Sequence, residues 1–448
     1  MTAFPKQLLT NPSGFPDLGP AEAIALARMI DVIRKHFELS GYSPIETPLV
    51  ERTEVLAAKA GGEIAAQIYG LRLLHPAKGA TSDEKDLALR FDHTVPLARF
   101  VAAHYAELLF PFRRSVIGPV VRGERPQEGR YRQFIQADID AIGDGSLTTL
   151  HDAEMVSVIA GIFNELAIGA FTVRIGNRKV LQGLLRWAGL TNDALVADAL
   201  KIIDRMEKIG RDSVVAALGE NGMAETKARE LVEVLLLQRS TSDALAFLGA
   251  QKIDELFEEG VRELAEVVAG VRALGVPEER FTVDLSIARG LDYYTGTVYE
   301  TRLDAHGDLG SIASGGRYED LASAFTSRKL PGVGISIGVT RLLLRLLKAG
   351  LFPAATTTVA RVLIASTAEN RTEALRAAAA LRGAAIACEV YLGSKPLGNQ
   401  LQYAEKRGFM LTISPKDVSS FTIHTFATGQ KIEIAAPDLL QTIQKLLG

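Results

Sequence analysis

The chain has 448 residues, with 50 Lys and Arg against 53 Asp and Glu and a pI near 6.2, so it lacks the globally basic signature of many nucleic-acid binders. Hydrophobic residues at 47% and charged residues at 23% exclude extended disorder, and the length predicts about three domains. A single cysteine, Cys388, excludes an intrachain disulfide, and 7 scattered histidines form no cluster at zinc-site spacing, which fits a reducing, cytoplasmic setting. The opening residues MTAFPKQLLTNPSGFPDLGP carry no basic start followed by an apolar run. Nowhere do about 18 apolar residues follow one another, so neither secretion nor membrane spanning is expected.

From Leu26 an apolar stripe of Leu26, Met29, Ile30, Ile33 and Phe37 recurs at helical spacing and stops at Gly41, predicting an amphipathic helix. In YSPIETPLVE, Pro44 and Pro48 confine strand pairing to an edge and predict an extended, interface-type segment. Residues Val116 to Ile142 read as two strands around the polar loop GERPQEGRYR. In the second strand Ile135, Ala137, Ile139 and Ala141 point one way, and Phe134, Gln136, Asp138 and Asp140 the other. The first set predicts a core face. An aromatic, an amide and two carboxylates on the second predict a ligand-facing surface rather than a merely solvated one.

From about Asn177 to Gly275, patterns such as ALVADALKIIDRMEKIG and VRELAEVVAGVRALG follow one another with hardly any strand signal, predicting a helical insertion. Strands return in FTVDLSIARG and TGTVYETRL. A helix from Val339 to Lys348 then carries Val339, Leu342, Leu343, Leu346 and Leu347 on one side and Arg341, Arg345 and Lys348 on the other. GLFPAATTTVA reads as a linker. Beyond it strand and helix alternate through RVLIAS, EALRAAAALRG, IACEVYL, NQLQYAEKRG and FMLTIS, predicting a small α/β domain with a largely parallel sheet.

The chemistry concentrates between Arg113 and Arg132. Six arginines (Arg113, Arg114, Arg122, Arg125, Arg130 and Arg132) face two glutamates there, a local charge of +4 in a net-acidic chain. Guanidinium forks match phosphate oxygens bidentately, so the stretch predicts an anionic partner, a polyphosphate or a nucleic-acid backbone, against the alternative of a solvated charged hairpin. Neither G-x-x-x-x-G-K-[ST] nor a helix-opening G-x-G-x-x-G is present. GGRY at 315–318 and GVGISIG at 332–338 either let a backbone approach a ligand or form tight turns. With no G-x-S-x-G elbow, and Cys388 in a predicted strand far from any evident base, nucleophilic serine or cysteine catalysis is not expected.

Together these motifs resemble the class II aminoacyl-tRNA synthetases, and among them the histidyl-tRNA synthetase family, over nearly the whole chain. GYSPIETPLVE is similar to motif 1, RFDHTVPLARF to the family's amino-acid-binding segment, VRGERPQEGRYRQFIQADID to motif 2 and GVGISIGVTRLLL to motif 3. SIARGLDYYTGTVYE and ASGGRYEDL resemble the two histidine-specific signatures, and GSKPLGNQLQYAEKRG lies in a segment similar to the anticodon-binding domain. The resemblance implies an α+β fold: an antiparallel six-stranded catalytic sheet with flanking helices, a helical insertion and a C-terminal α/β domain. It implies catalytic parts at 1–175 and 281–349, the insertion at 176–280, a linker at 350–360 and the anticodon-binding-like domain at 361–448, in a cytoplasmic homodimer built around motif 1.

The implied activity is that of a histidine–tRNA ligase using histidine, ATP with Mg2+, and tRNA(His). By position, Arg122 holds the ATP α-phosphate with the catalytic Arg289 opposite, Phe134 and Arg341 sandwich adenine, and Glu124 contacts its end. Asp92, Thr94 and Gln136 meet the α-ammonium of histidine, and Tyr294 and Tyr318, with Arg125 nearby, meet the imidazole. No general base is required, because a carboxylate is already a nucleophile at neutral pH. Thr340 stands where many relatives carry glutamate, removing one carboxylate near the nucleotide; Asp92 replaces a glutamate of many bacterial members, and His93 is a bystander. The alternative is a non-catalytic histidine-binding paralogue such as the regulatory subunit of ATP phosphoribosyltransferase. Such paralogues typically lack the C-terminal domain and lose motif arginines, whereas Arg122, Arg289, Arg341 and the extra domain are present here.

Overall fold

The computed structural model describes residues 9–58, 65–75, 86–126, 129–237, 239–288, 294–319, 321–353 and 356–448. They form two compact units, one of Met29–Phe352 with the chain up to Pro16, the other of Pro353–Gly448 with Asp17–Arg28. The first unit contains β1 (Ser43–Pro44), β2 (Val50–Arg52), β3 (Gly70–Leu71), β4 (Leu87–Leu89), β5 (Phe112–Val121) and β6 (Gln133–Ile142). After these come β7 (Phe171–Asn177), β8 (Phe281–Val283), β9 (Tyr294–Leu303), β10 (Ala313–Tyr318) and β11 (Gly332–Gly338).

Eight of these strands build one sheet in the order β1-β5-β6-β11-β10-β9-β7-β8, and β2-β4-β3 form a small second one. The six inner strands are antiparallel, while β1 and β8 add to the two edges in parallel. Pro44 lies on an edge strand, where its missing N–H leaves no gap in the ladder. β5 begins at Phe112, four residues before the sequence pattern suggests.

Both faces of β6 are buried from Phe134 onward apart from a half-buried Ile135, so its polar side is an internal surface rather than a wet one. Charges are accommodated there by pairing: Arg114 on β5 reaches Asp140 at 2.5 Å. The helix Val339–Lys348 buries Val339, Leu342, Leu343 and Leu346 and presents Arg341 and Arg345 to the sheet's polar side. Thr340 is also buried, and its hydroxyl accepts the Ile135 backbone N–H at 3.0 Å. The helix Leu150–Glu165 is buried nearly all round because it lies between the sheet and the helix Glu255–Ala273.

Between Arg178 and Ala273 the described residues hold seven helices and no strand. Asn177, Asn192, Ser240 and Asp254 cap four of them by accepting backbone N–H groups.

The second unit has a five-stranded sheet of β12 (Val362–Ile364), β13 (Cys388–Val390), β14 (Leu411–Pro415), β15 (Ser420–Thr425) and β16 (Lys431–Ala435), ordered β13-β12-β14-β15-β16. β12 runs parallel to β13 and β14, but β14, β15 and β16 pair antiparallel, so the sheet is mixed rather than largely parallel. The connections explain this. Helix crossovers join β12, β13 and β14, whereas only a few residues separate β14, β15 and β16, too short for a crossover. Its core gathers Val362, Ile364, Ala378, Leu381, Leu411, Ile413, Ile423 and Ile443.

Candidate active site

The polar side of the large sheet opens into a cavity of about 750 Å³. At one end Phe134, 3% exposed, projects from β6. The Arg341 guanidinium lies on its ring, 3.6 Å from the centroid, and that of Arg122, just past β5, is 5.3 Å away. Glu124 ties these cations together: Arg130 donates to its Oε2, Arg341 is 3.4 Å from that oxygen, and Arg122 is 4.0 Å from Oε1. Burial works against ionising Glu124, but the Arg130 hydrogen bond and the charges of Arg341 and Arg122 prevail and hold it below its usual range. Burial, with the neighbouring arginines and against Glu124, lowers Arg341 to about 10, so it stays charged at neutral pH. The result is a flat aromatic and cationic surface suited to a polyanion carrying a planar ring.

The other end is acidic. Asp92, 4% exposed, accepts the Val95 backbone N–H at Oδ1, while its Oδ2 is buried without a hydrogen-bond partner among the described residues. Burial pushes its carboxyl up to about 6 despite Val95, Arg122 and Arg114. From here the cavity narrows into a recess lined by Thr94, Asp138, Asp140, Tyr294 and Tyr318. The Tyr318 hydroxyl donates to Asp140 Oδ1 at 2.9 Å. Burial also raises Asp138, to about 7, and Asp140, with Arg114 opposing both. An open carboxylate oxygen beside hydroxyls and buried carboxylates suits an ammonium group and a neutral heteroaromatic ring with a donor and an acceptor.

Glycine serves close packing here rather than turns. A Cβ on Gly332 would fall 2.4 Å from the Tyr318 ring, and one on Gly334 would fall 2.2 Å from Asp140 Oδ1. β11 is thus bare where its neighbours' side chains cross it. In GGRY, Arg317 is a structural residue, bonded to buried Asp152 and to the Leu147 and Thr148 carbonyls.

Of the residues singled out from sequence, Asp92, Thr94, Arg122, Glu124, Phe134, Gln136, Tyr294 and Arg341 line the cavity, and Tyr318 lines its recess. Arg125 is exposed and is not among the lining residues. Arg289 lies outside the described residues. His93 faces the Gly118 carbonyl at 3.2 Å, and burial keeps it neutral.

Asp138, Asp140, Arg114 and Ser336 were absent from that set. The alternation of β6 pointed to both carboxylates, but nothing local in sequence pairs them with Arg114 or Ser336. The arginine density was also only partly a site signal, since Arg113 is engaged by Glu154 and Ser40, Arg114 by Asp140, and Arg132 by backbone carbonyls.

Comparison with known proteins places this geometry in context. A family model described as histidyl-tRNA synthetase matches residues 14–342, and one described as anticodon binding domain matches residues 359–446. The histidine–tRNA ligase of Nostoc punctiforme is 41% identical over 463 residues, covering 98% of each chain. That of Stenotrophomonas maltophilia is 42% identical over 450 residues, covering 97% of each. The crystal structure of histidyl-tRNA synthetase from a Nostoc species superimposes with a TM-score of 0.88 at 40% identity, covering 97% of this chain and 99% of that one. A Bacillus halodurans structure described as an ATP phosphoribosyltransferase regulatory subunit/histidyl-tRNA synthetase shares the fold, with a TM-score of 0.73 at 21% identity, covering 92% of this chain and 99% of that one.

Proposed function

The chain belongs to the histidyl-tRNA synthetase family, and from that premise we propose that it joins histidine to ATP as histidyl-adenylate and then transfers histidine to the 3′ end of tRNA(His). One observation carries the reading: a cationic, aromatic surface and an acidic recess meet in a single cavity. A nucleotide phosphate and an amino-acid carboxylate brought to that junction are in reach of each other.

A carboxylate oxygen of histidine attacks the α-phosphorus, the bond to the β-phosphate oxygen breaks, and pyrophosphate leaves. Arg122 neutralises charge growing on the α-phosphate, acting from a position set by its 2.9 Å bond to the Phe91 carbonyl. Arg289 is assigned the opposite side. Adenine lies between Phe134 and Arg341, which requires Arg341 to lift by about the thickness of a ring, roughly 3.5 Å. Asp92 Oδ2 and Gln136 take the α-ammonium with Thr94, and Asp140, Tyr318 and Tyr294 take the imidazole. Arg125, exposed as it is, is better suited to the tRNA end than to the imidazole.

Among the described residues no group of three or more His, Cys, Asp or Glu could hold a metal ion. Mg2+ brought with ATP would neutralise charge on the nucleotide phosphates, and Glu124 at the cationic end of the cavity is the carboxylate that would be available to it. No described helix is long and apolar enough to cross a membrane, and a cytoplasmic setting fits the enzyme's substrates. Exposed Leu49 and Val50, on the segment similar to motif 1, support a homodimer formed through that edge. The proposed division is a catalytic unit interrupted by the helical insertion and followed by an anticodon-reading unit from about residue 361.

Histidine-dependent exchange of pyrophosphate into ATP tests the first step, with Arg122→Ala and Arg289→Ala expected to lower the rate by about 10²-fold or more. Wild-type protein that binds histidine but shows no exchange above background would sink the catalytic reading. Charging of tRNA(His) tests the second step.

A further inference from the structure

Gln136 ends in an amide whose two faces are chemically opposite, one accepting and one donating, and its orientation follows from the hydrogen-bond network around it. Arg122 Nη2 donates to its Oε1 at 3.1 Å. Its Nε2 donates to Ser336 Oγ at 2.6 Å, and Ser336 Oγ donates to Asp138 Oδ1 at 2.5 Å. Ser336 lies directly opposite Asp138 across the β6/β11 ladder, with Gln136 two residues earlier on the same face. The chain of donors therefore runs one way, from guanidinium to amide to hydroxyl to carboxylate.

Reversing it breaks two contacts at once. A flipped Gln136 would aim its NH2 at the Arg122 guanidinium, donor against donor. Ser336 would then give its only proton to the amide oxygen and lose the hydrogen bond it donates to Asp138 Oδ1.

We propose that Ser336, oriented by Asp138, is a positioning residue that locks the Gln136 amide with its oxygen on the Arg122 side, an acceptor whose second lone pair serves the α-ammonium of histidine, and so makes the site selective for that group. This deepens the reading above, resting on its assignment of the α-ammonium to Gln136. Without Ser336 only the Arg122 contact orients the amide, which then spends more of its time turned with two N–H groups toward a cation. Recognition of the imidazole, which lies with Asp140 and the tyrosines, is independent of this device.

Calorimetric binding of two probes separates the lock from general damage: L-histidine, and 3-(imidazol-4-yl)propionate, which keeps the ring and carboxylate but lacks the amine. Ser336→Ala is expected to weaken L-histidine by about 10- to 100-fold while leaving the des-amino probe within about twofold. Ser336→Thr, which keeps the hydroxyl, is expected to restore L-histidine binding to within about threefold of wild type. Equal losses for both probes in Ser336→Ala, no loss for L-histidine, or a Thr variant as weak as the Ala variant would each overturn the proposal. Pyrophosphate exchange by the wild type, measured alongside, judges the catalytic reading separately, because binding of the two probes does not depend on turnover.

Discussion

Arg341 rests on Phe134 in the position a nucleotide base would share, so its loss should be felt by ATP and not by histidine. Arg341→Ala is expected to raise the KM for ATP in pyrophosphate exchange by about 10- to 100-fold, with the KM for histidine within about threefold. The buried carboxyls make a different prediction. Asp92 and Asp138 hold their protons more tightly in the folded chain, up to about 6 and 7 against an ordinary 3.8, chiefly because burial disfavours the charge. A raised folded value adds stability that is complete below about pH 4 and is lost as pH climbs through the folded value. Asp138→Asn removes one such group while keeping an acceptor opposite Ser336. Its melting temperature should therefore rise relative to wild type by about 1–3 °C per pH unit between pH 5 and 7, and level off above.

Strand β11 shows how an element can serve a site by what it leaves out. Its glycines admit the Tyr318 ring and the Asp140 carboxylate from the flanking strands, so the recess exists only because β11 carries no side chain at those crossings. Gly334→Ala should push Asp140 aside and weaken histidine binding by more than about tenfold in calorimetry, while ATP affinity, set at the other end of the cavity, stays within about threefold. In β6 the polar residues were recognisable as one face from their alternation alone. That this face is buried, and that Arg114 supplies its counter-charge, depends on β5 lying alongside in one particular register. The mixed sheet of the second unit is a similar case. Helix and strand periodicities were readable, but strand direction is set by connection length and by what each strand finds to pair with.

Across the whole molecule the formal charge of −3 is uninformative about partners, because charge is sorted by place. Much of the arginine density between Arg113 and Arg132 is neutralised internally, and Arg122 and Arg130 keep it at the cavity. Contacts of tRNA with phosphate-binding side chains should therefore be few but salt-sensitive. Raising salt from 50 to 200 mM is expected to weaken tRNA binding by about 10- to 100-fold in a filter-binding titration, with histidine affinity within about twofold. A flat tRNA response would argue against phosphate contacts as the main source of affinity.

Motifs settle chemistry at short range, and on that the residues alone were informative: the arginine-bearing hairpin, the alternating strand, the two histidine-type signatures and the helix beginning at Val339 each contribute side chains to the cavity or its recess, although Arg125 does not line it and Arg289 lies outside the described residues. Their types dictate this, since phosphate asks for guanidinium and an ammonium for carboxylate wherever the chain goes. Partners far apart in sequence were decided by folding. Arg114 meets Asp140, Asp152 meets Arg317, and Ser336 meets both Gln136 and Asp138 only because eight strands pair in a specific order and register. Burial then turns those meetings into shifted proton affinities and a fixed amide, neither of which a linear pattern of residues can express.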